Sequence, residues 1–337
     1  MRSPSVWATY AGLPSGVPNP CGWYRVLLPL AALREHGWDA RAGIGHAGPP
    51  PESETAGTFV LQSGDQPGAA AILAERGKFQ RTVYETDDDV FSIPPAIAAA
   101  YAAYTRPETR QAVIANMRAC HVVTVTTEPL AESVRASTGH PDVRVVPNCI
   151  PDAVLGLPRR RQPGRTVIGW TGSGARDADF GVARDAVRDV LETVPGTEMH
   201  FMGTDYRYLL PARLPARHTH PLAVSISWRD WFGGFDFDIA LAPLADIPFN
   251  RSRSALKALE AMALGIPVLA SDAGPYRGIV TDGVTGYLCR PGDWGKRLRE
   301  LALDAGAREE MGANARRAAR EHVISAGWRR WARAYVA

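Results

Sequence analysis

Two successive series of short apolar runs, each run separated from the next by a longer stretch of helical periodicity, constrain this chain more than any other feature. In the first series strands are predicted at 6–10, 58–61, 82–85, 122–126 and 144–146; in the second at 166–170, 198–202, 237–242, 267–270 and 286–289. Helical spacing of apolar residues marks 24–36, 107–119, 183–193 and 254–264. Short strands alternating with helices of this length imply parallel sheets with helices on both faces. Two such series imply an α/β protein of two Rossmann-like domains, and 337 residues suit two domains of about 150 each. The break falls at Pro147-Asn148-Cys149-Ile150-Pro151 and runs on through 157–164, a stretch dense in Pro, Gly and charge that suits a solvated linker. A first domain over 1–150 and a second over 151–319 follow. Ligands of open parallel sheets bind outside the carboxyl ends of the strands, so the active site is expected in the cleft across which the two domains face each other.

Composition removes several function classes. Lys and Arg number 38 against 35 acids, a net charge of +3 that does not by itself argue for nucleic acid. Residues 1–150 carry 12 bases and 14 acids, whereas 151–337 carry 26 and 21, so the second half suits an anionic ligand or simply has an Arg-rich surface. Cys21, Cys120, Cys149 and Cys289 are scattered, with no C-x-x-C pair, which argues against a zinc site or a disulfide framework and for a reducing, cytoplasmic setting. The first ten residues lack the apolar core of a secretion signal, and no stretch of 18 uninterrupted apolar residues spans a membrane. Peripheral association at the inner membrane face stays open, because 328–337 is amphipathic with Trp328, Trp331 and Tyr335 at helical spacing.

The segment 248–271 is the most informative. On a helix over 254–264, Arg253, Lys257 and Glu260 stand at i, i+4 and i+7, within about 60° of one another. Ala255, Leu256, Leu259, Met262 and Ala263 take the opposite side. Ser252 or Ser254 is expected to cap the helix, whose first amides and dipole favour a phosphate. Arg253 and Lys257 would add positive charge there, and Glu260 would accept hydrogen bonds from ribose hydroxyls. A solvated face with i,i+4 pairing fits the same pattern. Upstream, Trp170-Thr-Gly172-Ser173-Gly174 follows a strand, and glycines there let backbone amides approach a phosphate or simply make a tight turn. Gly203 ends the next strand, and Ala273-Gly274-Pro275-Tyr276 follows a later one.

Glu260-Ala-Met-Ala-Leu-Gly-Ile-Pro-Val-Leu-Ala-Ser-Asp272, with Asp282-Gly-Val-Thr-Gly-Tyr-Leu288 beyond it, resembles the C-terminal signature of retaining glycosyltransferase family 4, the glycosyl transferases group 1. The resemblance implies a GT-B fold, a nucleotide-diphosphate sugar as donor, retention at the anomeric carbon and no metal or other cofactor. It implies Glu260 on the ribose, and Gly172, Ser173 and Arg176 on the diphosphate, Arg176 standing where related sequences carry His. It implies base-binding backbone near Gly203, and Gly274 and Tyr276 beside the donor phosphate or sugar. The usual second Glu, eight positions before Glu260, contacts the donor sugar, and here that position is Ser252. Phe249-Asn250-x-Ser-Arg253-Ser254-x-x-Lys257 resembles a branch with Phe-Asn-x-x-Lys-Ser-x-x-Lys, so Asn250 and Arg253 are candidates to substitute. The terminal helix, about 320–337, is expected to complete the first domain, as in other GT-B proteins.

In the first half, the Pro- and Gly-rich 12–22 loop places Gly16 and Gly22 where the family approaches donor phosphate and acceptor. Tyr24 and Arg25 open the following helix. An Arg at a helix start is disfavoured unless it meets an anion or an acid. Glu85-Thr-Asp87-Asp88-Asp89 ends a strand, and Asp88 is the candidate base or acceptor contact, although Asp is also common at helix N-caps. The function expected is transfer of a sugar from a UDP, GDP or dTDP donor to a glycan, a lipid-linked or a small-molecule acceptor. The alternatives are a catalytically silent GT-B homologue acting as a partner subunit and a glycosyltransferase acting on a nucleic-acid base. The oligomeric state is not legible.

Overall fold

The structure, a computed structural model, describes residues 3–10, 19–44, 57–63, 67–74, 76–174, 176–219 and 228–336. The chain divides into two compact units. The first contains Met1–Cys149, Ser252–Ser254 and Ile324–Ala337, the second Ile150–Arg251 and Ala255–Val323.

The first unit holds a six-stranded sheet of β1 (Ser5–Tyr10), β2 (Asp39–Ile44), β3 (Thr58–Gln62), β4 (Arg81–Glu85), β5 (Val122–Val125) and β6 (Val143–Val145), in the order β2-β1-β3-β4-β5-β6. The second unit holds β7 (Thr166–Gly172), β8 (Thr197–Gly203), β9 (Ala216–Thr219), β10 (Ile239–Ala242), β11 (Val268–Ser271) and β12 (Gly286–Cys289), in the order β12-β11-β10-β7-β8-β9. Every strand pairing is parallel. All ten predicted strands are present, with ends shifted by at most two residues. The two that sequence reading omitted, β2 and β9, are edge strands.

Strands β3, β5, β8, β10 and β11 are buried along their whole length, as strands covered on both faces must be. In the first unit the C-terminal helix Ile324–Val336 packs Trp331 and Tyr335 against Val26, Leu30 and Val83. Gly327 lies so close to Cys149 that a Cβ there would meet the sulfur at 2.3 Å. The helix expected over 24–36 is broken in kind: a turn at Pro20–Gly22 leads into a π-helical stretch Trp23–Leu27, then the α-helix Leu28–Glu35. Pro29 has no N–H for the carbonyl of Arg25, and the wider turn before it bonds Leu28 N–H to Trp23 O instead. In the second unit Trp170, Phe180, Phe201 and Tyr206 form an aromatic cluster, and Trp294 and Leu298 of the helix Trp294–Leu303 belong to the same core. Among the described residues no helix is long and apolar enough to cross a membrane.

Candidate active site

In the second unit the order β9-β8-β7-β10-β11-β12 is 3-2-1-4-5-6 in local numbering. It reverses between β7 and β10, the switch point outside which ligands of such sheets bind. The carboxyl end of β7 carries Gly172 and leads to Ser173 and Arg176; that of β10 leads to the helices Pro248–Arg251 and Leu256–Ala263.

Several interactions fasten these segments to one another. Asp179 Oδ1 accepts from Ala245 N at 3.0 Å and from Asn250 Nδ2 at 2.7 Å, and Asn250 also donates to Ala245 O at 2.9 Å. Asn250 thus ties the 248–251 turn to the helix Asp177–Gly181. Arg176, 7% exposed, has its guanidinium 3.8 Å from Asp179 Oδ2 and 5.6 Å from the Phe249 ring. Tyr206 clamps the loop from the other side: its hydroxyl donates to Ser173 O and accepts from Arg176 N. Gly172 and Gly203 lie opposite each other in register at the ends of β7 and β8. Gly203 has φ +108°, and a Cβ there would lie 2.3 Å from Gly172 O, so only glycine fits. Gly274 begins the short turn Gly274–Arg277 after β11 with open space where a Cβ would stand, whereas Tyr276 is packed inside.

The Leu256–Ala263 helix differs from expectation in two ways. It starts after Ala255, which carries no capping side chain, and neither Ser252 nor Ser254 caps it. Arg253 therefore precedes the helix and does not share a stripe with Lys257 and Glu260. Nor is the polar side solvated. Lys257 Nζ stands 5.0 Å from the centroid of the buried Trp170 ring, within cation–π range. Glu260, 5% exposed, accepts from Trp231 Nε1 at 2.9 Å.

Ser252, Arg253 and Ser254 belong to the first unit, where each engages a polar partner. Ser252 Oγ donates to Asp89 Oδ2 at 3.2 Å and its carbonyl accepts from Thr127 Oγ1 at 2.7 Å. Arg253 Nη1 lies 3.3 Å from Asp88 Oδ1, and Ser254 Oγ accepts from Asn148 Nδ2 at 3.0 Å. Asp88 also accepts from Tyr101 Oη at 2.9 Å, and Asp89 from Ser133 Oγ at 2.9 Å. Burial, then the Asp88 charge, raises the Asp87 pKa above its usual range. Burial and the carboxylates of Asp87 and Asp88 push the Cys21 thiol well up, the direction that disfavours the thiolate.

Beneath that cluster Arg25 meets an acid rather than a ligand. It is fully buried, holds Glu85 at 2.7 and 3.1 Å, and donates to Val146 O at 2.7 Å and Asn148 Oδ1 at 2.9 Å. Its guanidinium carbon lies 4.3 Å from the Trp331 centroid. Asp238 accepts from Val167 N at 2.9 Å and ties strands together. Gly16 lies outside the described residues. Among the described residues no group of three His, Cys, Asp or Glu is placed to hold a metal ion. Tyr206, Trp231 and Tyr101 were missed from sequence. Only Tyr206 lies close to a strand end, and a lone aromatic residue reads as core wherever it falls.

The fold is shared with solved structures. Sucrose-phosphate synthase from Thermosynechococcus elongatus is 16% identical with a TM-score of 0.69, over 98% of each chain. HepE of Anabaena, solved in complex with UDP-glucose, is 13% identical at 0.63, again over 98% of each. WaaG, a glycosyltransferase involved in lipopolysaccharide biosynthesis, is 14% identical at 0.61, over 98% of this chain and 99% of that one. Two six-stranded parallel sheets of this kind define a GT-B fold. Residues 250–318 match the family model of glycosyl transferases group 1, and the chain carries a domain of that family. Among curated proteins, D-inositol 3-phosphate glycosyltransferase of Paenarthrobacter aurescens is 36% identical over 118 residues, 34% of this chain and 26% of that protein. Its counterpart in Kribbella flavida is 42% identical over 91 residues, 26% of this chain and 20% of that one. The matched stretches thus span about a quarter or less of these relatives.

Proposed function

We propose that the protein is a retaining, metal-independent glycosyltransferase that takes a nucleotide-diphosphate sugar as donor, bound by the second unit at the β7/β10 switch point. One observation carries the reading. The Leu256–Ala263 helix opens at Ala255 without a side-chain cap, bears half-buried Lys257 in its first turn, and holds buried Glu260 one turn on. A helix start with a lysine is an anion site, and a carboxylate a turn further on suits a diol. The glycine-bearing end of β7 and Arg176 add amides and a planar cation in the same unit.

As the bond from the anomeric carbon to the diphosphate oxygen breaks, its electron pair leaves with the diphosphate. Positive groups and amides already in place stabilise that charge better than they do the intact donor. Lys257 and Arg176 take this role, Glu260 holds the ribose, and Gly203, Gly274 and Tyr276 shape the base and sugar ends. In the first unit Asp88, backed by Tyr101 and Arg253, is the candidate contact for an acceptor hydroxyl. UDP in the HepE complexes favours a UDP-sugar, and the first unit is assigned to the acceptor.

Incubation with UDP-, GDP- and dTDP-sugars, with release of nucleoside diphosphate as the readout, tests this. Release that Lys257→Ala abolishes supports the reading. A second reading, a silent homologue, draws on Ser252, which stands where the family carries Glu and whose hydroxyl is bonded to Asp89. Nucleotide binding without release, with or without candidate acceptors, would favour it.

A further inference from the structure

A cavity of about 580 Å³ in the second unit is lined from the amino ends of β7 and β10, by Arg160, Arg161 and Gln162 ahead of the first and by Gly233, Gly234 and Asp236 ahead of the second. The length of β7 puts about 20 Å between its amino end and Gly172. His200 on β8 stands in register with Arg217 on β9, and Thr219 follows two residues on, so all three rise from one face of the sheet into the lining.

The acids here are already answered. Asp236, 8% exposed, accepts from His200 Nδ1 at 2.7 Å, from Gln162 Nε2 at 2.8 Å and from Arg217. Burial works to raise its pKa, yet these three donors hold it below the usual carboxylate range. Glu198 is shared by Arg217 at 2.7 Å and Arg165 at 2.5 Å. The cations are matched less completely. Arg160 is exposed and has no hydrogen bond or ion pair among the described residues, and its Nη2 would lie 3.8 Å from a Cβ at Gly233. Arg161 has an exposed pair with Glu309 at 2.9 Å, a kind worth little and readily exchanged. The arginines named here outnumber the carboxylates by one. A guanidinium fork matches a phosphate. The lining is otherwise polar, with no aliphatic side chain longer than that of Thr219 among the described residues, and Thr219 Oγ1 is held at 2.7 Å from His200 Nε2. Such a volume exceeds a bare ion and suits a small molecule.

We propose that this cavity is a second binding site, for a small phosphorylated polyol of the sugar-phosphate class: Arg160 and Arg161 take the phosphate, and Thr219 and Arg217 meet the hydroxyls. It draws on none of the residues assigned to the donor, so either site can fail alone.

Binding of glucose 6-phosphate, inorganic phosphate and glucose is measured calorimetrically on the full chain, with the melting temperature of each variant as a folding control. Glucose 6-phosphate is expected to bind more tightly than phosphate, and glucose not at all, with affinity falling as salt is raised. Arg160→Ala removes an exposed side chain and is expected to leave melting unchanged while weakening glucose 6-phosphate by roughly tenfold or more. Arg160→Lys, a point charge without the fork, should recover part of the loss. Thr219→Val is expected to weaken glucose 6-phosphate and leave phosphate binding as it was. Lys257→Ala should leave glucose 6-phosphate binding unchanged, and Arg160→Ala should leave UDP binding unchanged. Binding that survives Arg160→Ala but is lost in Lys257→Ala would put the sugar phosphate in the donor site and overturn the proposal. No binding up to roughly 10 mM would overturn it as well. Equal affinity for phosphate and glucose 6-phosphate would do the same, since nothing would then read the sugar.

Discussion

Arg25 has no exposed surface, and its guanidinium is spent on Glu85, Val146, Asn148 and the face of Trp331. The sequence showed that an arginine at a helix start needs an anion or an acid. It could not show which, because the acid lies 60 residues away and meets it only through the sheet. Removing one member of a buried pair strands the other, so Arg25→Leu is expected to destabilise the protein by about 3–5 kcal/mol, with Arg25→Leu/Glu85→Leu costing less than the single change. Chemical denaturation of the three variants checks this. Glu85 adds a pH signature. Burial outweighs its partner and lifts its pKa from 4.5 to about 7. The folded state then binds more protons than the unfolded one between those values, so this group's contribution to stability falls as pH rises through that window. Melting temperatures of wild type minus Glu85→Gln, plotted from pH 4.5 to 7.5, should slope downward; a flat or rising difference would show that Glu85 stays ionised in the fold. Lys257 sits at the same scale with the opposite profile, half-buried on a helix start rather than locked in the core. Lys257→Ala is expected to lower kcat by about 10²–10³ with a melting temperature close to wild type. Measuring the two together separates a catalytic cation from a structural one.

Whole elements explain what was legible. Eight of the ten strands read from sequence are central and mostly apolar, because central parallel strands must be buried on both faces, and the other two, β6 and β12, are edge strands that are still mostly apolar. Asp-Ala-Arg-Ala-Gly-Ile in β2 and Ala-Arg-His-Thr in β9 carry no such signal, since an edge strand needs partners and apolar cover on one side only. The helix bearing Lys257 was legible in its period but not at its start. Serine before a helix is an ordinary cap, yet Ser252 and Ser254 are drawn away by Asp89 and Asn148, and tertiary contacts of that kind leave no local pattern. Glycines invite a sharper test, because the sequence could not separate turn from ligand approach. At Gly203 the backbone decides, with φ +108° and Gly172 O in the way. Gly203→Ala is expected to cost about 2–4 kcal/mol in urea unfolding, whatever the ligand. Gly274 has open space around it and an ordinary φ. Gly274→Ala should change stability by less than about 0.5 kcal/mol, so any loss of donor affinity there reports on the site and not on the fold.

For the whole molecule, the division into two units makes the proposed location of the donor testable. Arg176, Asn250, Lys257 and Glu260 all belong to the second unit, and the helices that carry them are fastened to the loop after β7 by Asp179 and Asn250. A ligand held there adds its free energy to the folded state alone. At a concentration 100 times its Kd, a nucleoside diphosphate is expected to stabilise its unit by about 2.7 kcal/mol. For a unit of this size that raises melting by about 5–10 °C. Heat alone does not say where the energy falls, and amide hydrogen exchange does. With UDP bound, the largest slowing is expected in 170–174, 176–179 and 256–263, the segments proposed to meet the phosphates. Strands β1, β3 and β5 sit in another core and should change least. Lys257→Ala should shrink the thermal shift and the local protection together, because both depend on one contact. Slowing concentrated instead on β1–β6 would place the nucleotide on the wrong unit and remove the basis for assigning the Leu256–Ala263 helix to the donor.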